Sequence, residues 1–492
     1  MAEYTCDVCK TKFDETEKKL TNDEHKCILH CKKDAFLESN NSEFISNLSK
    51  CRIDDRTHIY EFKGVHFPRN LELKYTDLNN SLTNDPMMSF KECTFYNPLI
   101  FQIGNFKSTF DECIFYEDWN HYSNNATYNN CSFNNFKYRN ENENTTFIKT
   151  LKFYNCYFNE LNFHNVTFTD EFLIYDSKTK YDKINNIVLT KCILEKKLIF
   201  NLNDCDERSL ENPLRFTIIK LDLTNSTLRN KVKIQLCDIT EANFYNTSFD
   251  ELADFYKSSF NSIILERTDF KKISVFSEVK FNCDVNFKYT KFLKHSIFRD
   301  TVITGYFNLR DSIFDADANF LDITAEERSK NKDNEYIGNP KDIKVANRET
   351  ARIIKNFYDT SNNIIEANRF YKLEMREREK EIKIYKQPFS WLVFKFHWLS
   401  SNHSQNWLFP ILWIFIISYL VTSVKTSYGI LETILYNFFI YGVLDKMANV
   451  INPFSIMTKG ETLTFNMLFL KVIIAYLMYQ FIVSVRQNTR RK

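Results

Sequence analysis

The chain has 492 residues, 43% of them hydrophobic, with 47 Phe against 7 Gly and a formal net charge of +2. Such length and apolar content suffice for a sizeable core and several domains, while so balanced a charge supplies no field for nucleic-acid binding. So few glycines argue against phosphate-cradling loops, which need positive φ and close backbone approach at fixed positions; neither G-x-G-x-x-G nor G-x-x-x-x-G-K-[ST] occurs.

The opening "MAEYTCDVCKTKFDETEKKL" contains no apolar h-region. No cleavable signal peptide is therefore expected, and the N-terminal mass is expected in the cytoplasm. In that reducing compartment the thirteen cysteines read as metal ligands or small buried side chains rather than as a disulfide framework.

Residues 1–40 read as a Cys/His zinc-binding module. Cys6-x2-Cys9 is followed by Cys27, His30 and Cys31 within "HKCILHC". Zinc takes four thiolate or imidazole ligands in a tetrahedron, and ligands two residues apart can both face inward from one tight turn. Cys6, Cys9, Cys27 and His30 form two such pairs; Cys31 or His25 are alternatives to His30. With four protein ligands and no H-E-x-x-H helix, the site reads as structural rather than catalytic.

From 58 to 325 the dominant signal is a five-residue rhythm. In "LKFYNCYFNELNFHNVTFTDEF" phenylalanine stands at 153, 158, 163 and 168. That spacing is neither the 3.6 of a helix nor the 2 of a strand. Large apolar residues continue at Ile239, Phe244, Phe249, Phe255, Phe260, Leu265, Phe270 and Val275, then with one-residue slips at Phe281, Phe287, Phe292 and Phe298. A small residue stands two places earlier in many units, as in Cys93/Phe95, Cys113/Phe115, Cys131/Phe133, Cys156/Phe158 and Ala253/Phe255. A chain turning a corner every five residues closes a square coil after four units, and coils then stack at the inter-strand spacing of about 4.8 Å. Large side chains form inner columns, and Cys or Ala fits beside them.

These units, "CYFNELNFHNVTF" and "EANFYNTSFDE" among them, resemble the pentapeptide-repeat family in a Phe-rich variant of its A-[DN]-L-x-x motif. The resemblance covers about half the chain. It implies a mainly β fold, a right-handed quadrilateral β-helix, that binds or scaffolds rather than catalyses. Residues 71–89, 117–130 and 174–215 depart from the pattern and read as loops or insertions.

Residues 343–386 read as a helical hairpin. Ile353, Ile354 and Phe357 share one face, Ile364, Ala367, Tyr371 and Met375 another, and Ser361-Asn362-Asn363 breaks the two helices apart. Its expected role is to cap the last coil and to join the solenoid to the membrane segment, as in membrane-bound pentapeptide proteins.

Residues 388–492 read as an α-helical membrane domain, with spans at 407–424 and 465–485. Trp391, Trp398, Trp407 and Trp413 cluster at the first entry as an aromatic belt, led by an interfacial helix from Phe389 to Leu399. Basic residues concentrate before the first span and after the second, so both termini are expected in the cytoplasm of a bacterial inner membrane. The apolar segment 428–444 is too short to cross and reads as re-entrant. Span, half-helix, loop and span resemble two-transmembrane potassium-channel pore domains, but the T-V-G-Y-G filter is replaced by "YGVLDKMANVINPF", so no selectivity can be carried over. Glu432, Asn437, Lys471 and Gln480 are the polar pore candidates; for Lys471 and Gln480 the competing readings are snorkelling and helix–helix glue.

The functional expectation is a membrane-anchored cytoplasmic scaffold, integral to the lipid bilayer and docking an unidentified protein partner. The alternative is a homo-oligomeric, channel-like pore regulated by the solenoid. No nucleophile–base constellation or open metal site points to an enzyme, and no nucleic acid is expected as a partner.

Overall fold

The computed structural model describes residues 3–21, 25–33, 41–49, 52–54, 59–68, 71–74, 87–96, 100–102, 107–120, 125–139, 146–154, 156–175, 183–201, 215–329, 337, 341–404, 406–425, 443–452 and 465–489. They fall into two compact units, Met1–Lys344 and Val345–Lys492.

The first unit is mainly β. One thirteen-stranded sheet runs from Arg52–Asp54 to Ala318–Asn319, a twelve-stranded sheet from His66–Phe67 to Val302–Ile303, and an eight-stranded sheet from Thr146–Ile148 to Ile313–Phe314. After the antiparallel pairing of Arg52–Asp54 with Ile59–Lys63, successive strands lie parallel. This is a β-solenoid, because each strand pairs with its counterpart one coil away rather than with its neighbour in sequence. The registers place aromatic on aromatic: Phe62 faces Phe90, Phe90 faces Phe110, Phe110 faces Tyr128, and Tyr128 faces Phe153.

The columns expected from the rhythm are present. Ring centroids lie 4.6 Å apart for Phe90–Phe110 and 4.5 Å for Phe110–Tyr128, with planes within 12° of parallel. In the last coils Phe255–Phe276, Phe276–Phe298 and Phe298–Phe320 repeat at 5.0, 4.9 and 4.9 Å. Neighbouring columns meet edge to face, as at Phe90–Phe95, so each ring offers its face along the stack and its edge across it.

In the later coils one turn is longer than four units of five. Phe249 faces Phe270 twenty-one residues on, and Phe270 faces Phe292 twenty-two residues on. Alternate corners are tight turns whose third residue is left-handed: Asn246 at φ 53°, Lys257 at 55°, Arg267 at 57° and Glu278 at 55°. Thr247 N–H donates to the Phe244 carbonyl across the first of these, and Ser258 N–H to Phe255 across the next. The extra residue enters at the looser corners, as between Phe270 and Phe276. Val275 is thereby displaced from the inner column: it is half-buried, and Phe276 is fully buried in its place.

All three stretches expected to be loops carry strands: in 71–89, Glu72–Lys74 pairs with Ile100–Gln102. Asn125–Asn129 pairs on both sides with Lys107–Asp111 and Thr150–Tyr154, and Lys183–Thr190 pairs with Tyr157–His164 and Phe216–Asp222. Tyr128, Ile187 and Leu189 occupy inner positions there, so aliphatic and tyrosine side chains keep the column where the Phe rhythm lapses. Trp119 is buried next to Tyr128 and donates its indole N–H to the Tyr128 hydroxyl at 3.1 Å.

The small residues also bond the coils together. Cys93, Cys113 and Cys131 donate Sγ–H to carbonyls one coil back, those of Phe62, Phe90 and Phe110. Ser226, Thr247, Ser258 and Thr268 do the same with shorter hydroxyl bonds of 2.6–2.8 Å to Leu189, Leu223, Ile234 and Phe244. Burial raises the thiols of Cys93, Cys131 and Cys192, the last to about 12, so these three are unreactive packing groups; at Cys113 burial also pushes upward, but hydrogen bonds with Cys131, Cys93 and the backbone outweigh it and the thiol is lowered. Gly305 is fixed by contact: a Cβ there would lie 2.4 Å from the Cys283 carbonyl group of the preceding coil.

In the second unit, helix numbering continues from the N-terminal helices α1 (Glu15–Thr21) and α2 (Asn41–Leu48) of the first. Its helices are α3 (Arg348–Thr360), α4 (Ile364–Glu381), α5 (Pro388–Ser401), α6 (Leu408–Lys425), α7 (Val443–Ile451) and α8 (Phe465–Thr489). Asn347 and Asn363 cap α3 and α4 by accepting from Thr350 N–H and Glu366 N–H, and left-handed Asn362 makes the break. The inner face of the hairpin is rotated from expectation. Tyr358 and Phe370 are buried with rings 5.6 Å apart, whereas Phe357, Tyr371 and Met375 are half-buried. Glu374 joins the buried face because Arg352 Nε donates to it at 3.0 Å. The hairpin packs on α8, where Asn368 donates to the Gln487 carbonyl at 3.0 Å.

Two membrane spans were expected; by length and composition one described helix qualifies, Phe465–Gln487. Its apolar window is only 22% buried, so Phe469, Val472 and Ile482 point outward. The apolar part of α6, Leu408–Val421, is shorter. The re-entrant segment expected at 428–444 lies outside the described residues except for the start of α7.

The corner geometry makes a direct prediction. Phe276→Ala should lower the unfolding free energy by about 3–5 kcal/mol, since it opens a hole in a ring stack. Val275→Ala should cost far less, and denaturant midpoints of the two variants will show it.

Candidate metal centre

Tyr4–Thr5 and Lys12–Phe13 form an antiparallel hairpin whose tip carries Cys6 and Cys9. Cys6 N–H donates to the Thr11 carbonyl and Lys10 N–H to that of Cys6, both at 2.9 Å, and Lys10 is left-handed at φ 61°. That knuckle turns both thiols to one side. The second pair is set by a single turn in which the Cys27 carbonyl accepts from His30 N–H and Cys31 N–H.

The four ligand atoms of Cys6, Cys9, Cys27 and His30 lie within 4.8 Å of one another. A zinc tetrahedron with Zn–S near 2.3 Å and Zn–N near 2.0 Å has S–S edges of about 3.8 Å and S–N edges of about 3.5 Å. Cys9 Sγ to Cys27 Sγ is 3.7 Å and Cys6 Sγ to His30 Nδ1 is 3.5 Å; Cys27 Sγ to His30 Nδ1 is closer, 3.0 Å. The donor set and its dimensions fit a closed, four-ligand ion.

His30 is oriented from outside the cluster. Its Nε2–H donates to the Lys63 carbonyl at 2.9 Å, which leaves Nδ1 as the bare nitrogen facing the thiols. Burial lowers its pKa further and keeps it neutral, as a ligand must be. Burial raises the Cys27 thiol. At Cys6 burial also pushes upward, but the backbone N–H groups of Cys27, Cys9 and Val8 outweigh it and the thiol is lowered.

Geometry separates the alternatives that sequence left open. Cys31 Sγ turns away to the Ile28 carbonyl at 3.7 Å, and His25 is exposed with its Nδ1 3.9 Å from the Asp7 carboxylate. A group that spacing did not reveal, Lys33, is 2% exposed and donates to the Ile28 and Cys31 carbonyls and to Cys31 Sγ at 2.6, 3.0 and 3.1 Å. Its ammonium also lies 5.3 Å from the Phe44 ring centre.

The cluster sits on the first coil. His66 N–H donates to the Leu29 carbonyl, Phe44 of α2 meets Phe67 edge to face at 5.9 Å, and a Cβ on Gly64, left-handed at φ 64°, would crowd Val8 at 3.1 Å. The N-terminal residues therefore cover the inner columns where the solenoid begins.

The polar pore candidates are engaged within the second unit. Lys471 donates to the carbonyls of Asn449, Val450 and Asn452 at 2.9, 3.0 and 2.5 Å, closing the C-terminal end of α7. Gln480 is buried and its Oε1 accepts from Ser401 and Ser404 hydroxyls at 3.0 and 3.2 Å. Glu432 and Asn437 lie outside the described residues. Compared with known proteins, the chain matches no family model, and no curated protein and no solved structure matches it.

Because bound thiolates must lose their protons, the metal content should fall on acidification. Elemental analysis of purified protein should give one ion per chain, retained in Cys31→Ser and lost in Cys27→Ser. The reverse pattern would place the site on Cys31.

Proposed function

We propose that the chain is a membrane-anchored pentapeptide-repeat scaffold, held at the cytoplasmic face of a bacterial inner membrane and presenting its solenoid to a protein partner. The observation that carries this reading is the pairing, in one chain, of a β-solenoid with α8, a helix long enough to cross and largely apolar outside. In this reading α6 completes a two-span anchor, α5 lies at the interface with Phe389, Val393 and Phe396 outward, and both termini face the cytoplasm.

The solenoid surface suits binding because it is ordered before any partner arrives. Asn246 donates to Asn225 at 2.8 Å and Asn282 to Asn261 at 2.9 Å, each one coil apart, and Lys271 pairs with Asp250 at 2.9 Å. Side chains already held lose little freedom on association, which is where much binding energy is otherwise lost. The Cys6, Cys9, Cys27 and His30 cluster is assigned structural zinc that pins the first coil.

The homo-oligomeric pore is the weaker reading. Lys471 serves as a helix cap and Gln480 as a buried acceptor, so neither offers its polar group to a conduction path. Anchorage is tested by alkaline carbonate extraction, where the protein should stay with the membrane; release into the supernatant would refute it. Reconstituted liposomes should show no ion flux with either wild type or Lys471→Met, and flux altered by that substitution would restore the pore.

A further inference from the structure

Helix α5 carries its apolar side chains on the outside. Phe389, Leu392, Val393, Phe396 and Leu399 recur at the three- and four-residue spacing of one helix face, and all five are exposed, Phe389 at 82% and Val393 at 64%. The end of the helix is held inward: Ser401 donates to Gln480 of α8 at 3.0 Å, and the Leu399 carbonyl accepts the indole N–H of Trp413 on α6 at 3.0 Å. A helix packed on a core in water would be turned the other way round, so this face requires a cover.

The turn that leads into α5 extends the same surface. Lys386 N–H and Gln387 N–H both donate to the Lys383 carbonyl at 3.0 Å, and Pro388 opens the helix behind them. That tight turn exposes Ile384 and Tyr385, the latter at 72%, between Lys383 and Lys386, which are exposed themselves. Neighbouring cations are already engaged, Arg378 by Glu381, Lys380 by Glu377 and Lys395 by Glu379. Lys383 and Lys386 make no ion pair among the described residues. From Ile382 to Lys425 the sequence has no Asp or Glu at all.

We propose that the Lys383–Lys386 turn and the outer face of α5 are a docking surface for anionic phospholipid, with Phe389 and its row entering the acyl boundary and the two lysines meeting headgroup phosphates. This surface rests on the membrane-anchored reading and specifies the lipid that the anchor selects. It continues the apolar exteriors of the helices on which α5 packs, where Phe415 and Leu420 of α6 and Phe469 and Val472 of α8 are exposed too. Trp391 and Trp398 flank it, their ring centres 5.8 and 5.5 Å from the Lys395 ammonium, and such rings and cations belong at headgroup level.

A second copy of the chain fits this face less well. A two-fold contact brings a patch against its own image, so Lys383 and Lys386 would meet their counterparts with no carboxylate in the stretch to lie between them. Phospholipid headgroups supply that opposite charge, and their acyl chains supply the cover that Phe389, Val393 and Phe396 need.

Photo-crosslinking of the full-length protein tests the surface. Phe389→p-benzoylphenylalanine is placed in nanodiscs of equal phosphatidylglycerol and phosphatidylcholine with identical acyl chains. Irradiation should attach lipid to the peptide that carries position 389, with phosphatidylglycerol favoured about five-fold. One lysine at an anionic surface contributes about 1 kcal/mol, which is that factor. Lys383→Gln combined with Lys386→Gln should bring the two lipids to parity. The same label in place of Phe469 on α8 is the control. Lipid at 469 with none at 389, or a cross-linked dimer through 389, would overturn the docking surface and leave the anchor standing. Lipid at 389 without headgroup preference, or with a preference that survives loss of both lysines, would overturn it as well. No lipid at either position would remove the anchor and the surface together.

Discussion

Face-to-face contact between aromatic rings one coil apart is the constraint on which the solenoid depends. Strands in a sheet are spaced about 4.8 Å apart, and a phenyl ring stacked on its counterpart prefers nearly the same distance. One spacing therefore satisfies the backbone ladder and the core together. The long runs at Phe90, Phe110 and Tyr128, and at Phe255, Phe276, Phe298 and Phe320, are repeated use of that coincidence. It also explains why so much phenylalanine is compatible with so few glycines. The left-handed corners are filled mostly by Asn, Lys, Glu and Asp, with Leu236, Arg267 and Tyr289 besides, and the sum of stacked contacts sustains their modest local cost.

A stack of this kind is weakest at its ends, where a ring has one neighbour and strand edges lack partners. At its beginning the solenoid uses Phe44 against Phe67 and a Cys/His cluster whose imidazole is bonded to the Lys63 carbonyl of the first coil. An ion bound there would be linked to coil closure through that bond. A ligand that must be held by the solenoid to face the thiols makes the module and the first coil a single cooperative piece.

The second unit obeys different physics. Its outward surface on α8 is apolar, and its inward surface carries the polar groups: Gln480 with two serines, Lys471 on the carbonyl end of α7. Polar side chains that satisfy one another inside an apolar exterior are what a lipid environment requires of helices. The same arrangement buries His403, whose Nδ1 lies 3.1 Å from His397 Nδ1 and whose Nε2 has no hydrogen-bond partner among the described residues, in a left-handed turn.

Sequence alone determined the period of the inner columns, the Cys-x2-Cys and Cys-x2-His pairs, and the apolar helices near the end, because each is written in short-range spacing of residue types. Expectations failed or stayed open where long-range contact had to choose. The displacement of Val275 by Phe276 depends on which corner takes the extra residue. The choice of His30 over Cys31 depends on a carbonyl 33 positions away. The hairpin's inner face was set by the Tyr358–Phe370 contact, and Tyr128, Ile187 and Leu189 kept the coil going because their neighbours above and below were already stacked. The role of Gln480 came from a serine 79 positions earlier. Spacing encodes which way a side chain points along its own segment; which distant atom waits there is settled only when the coils and helices have packed.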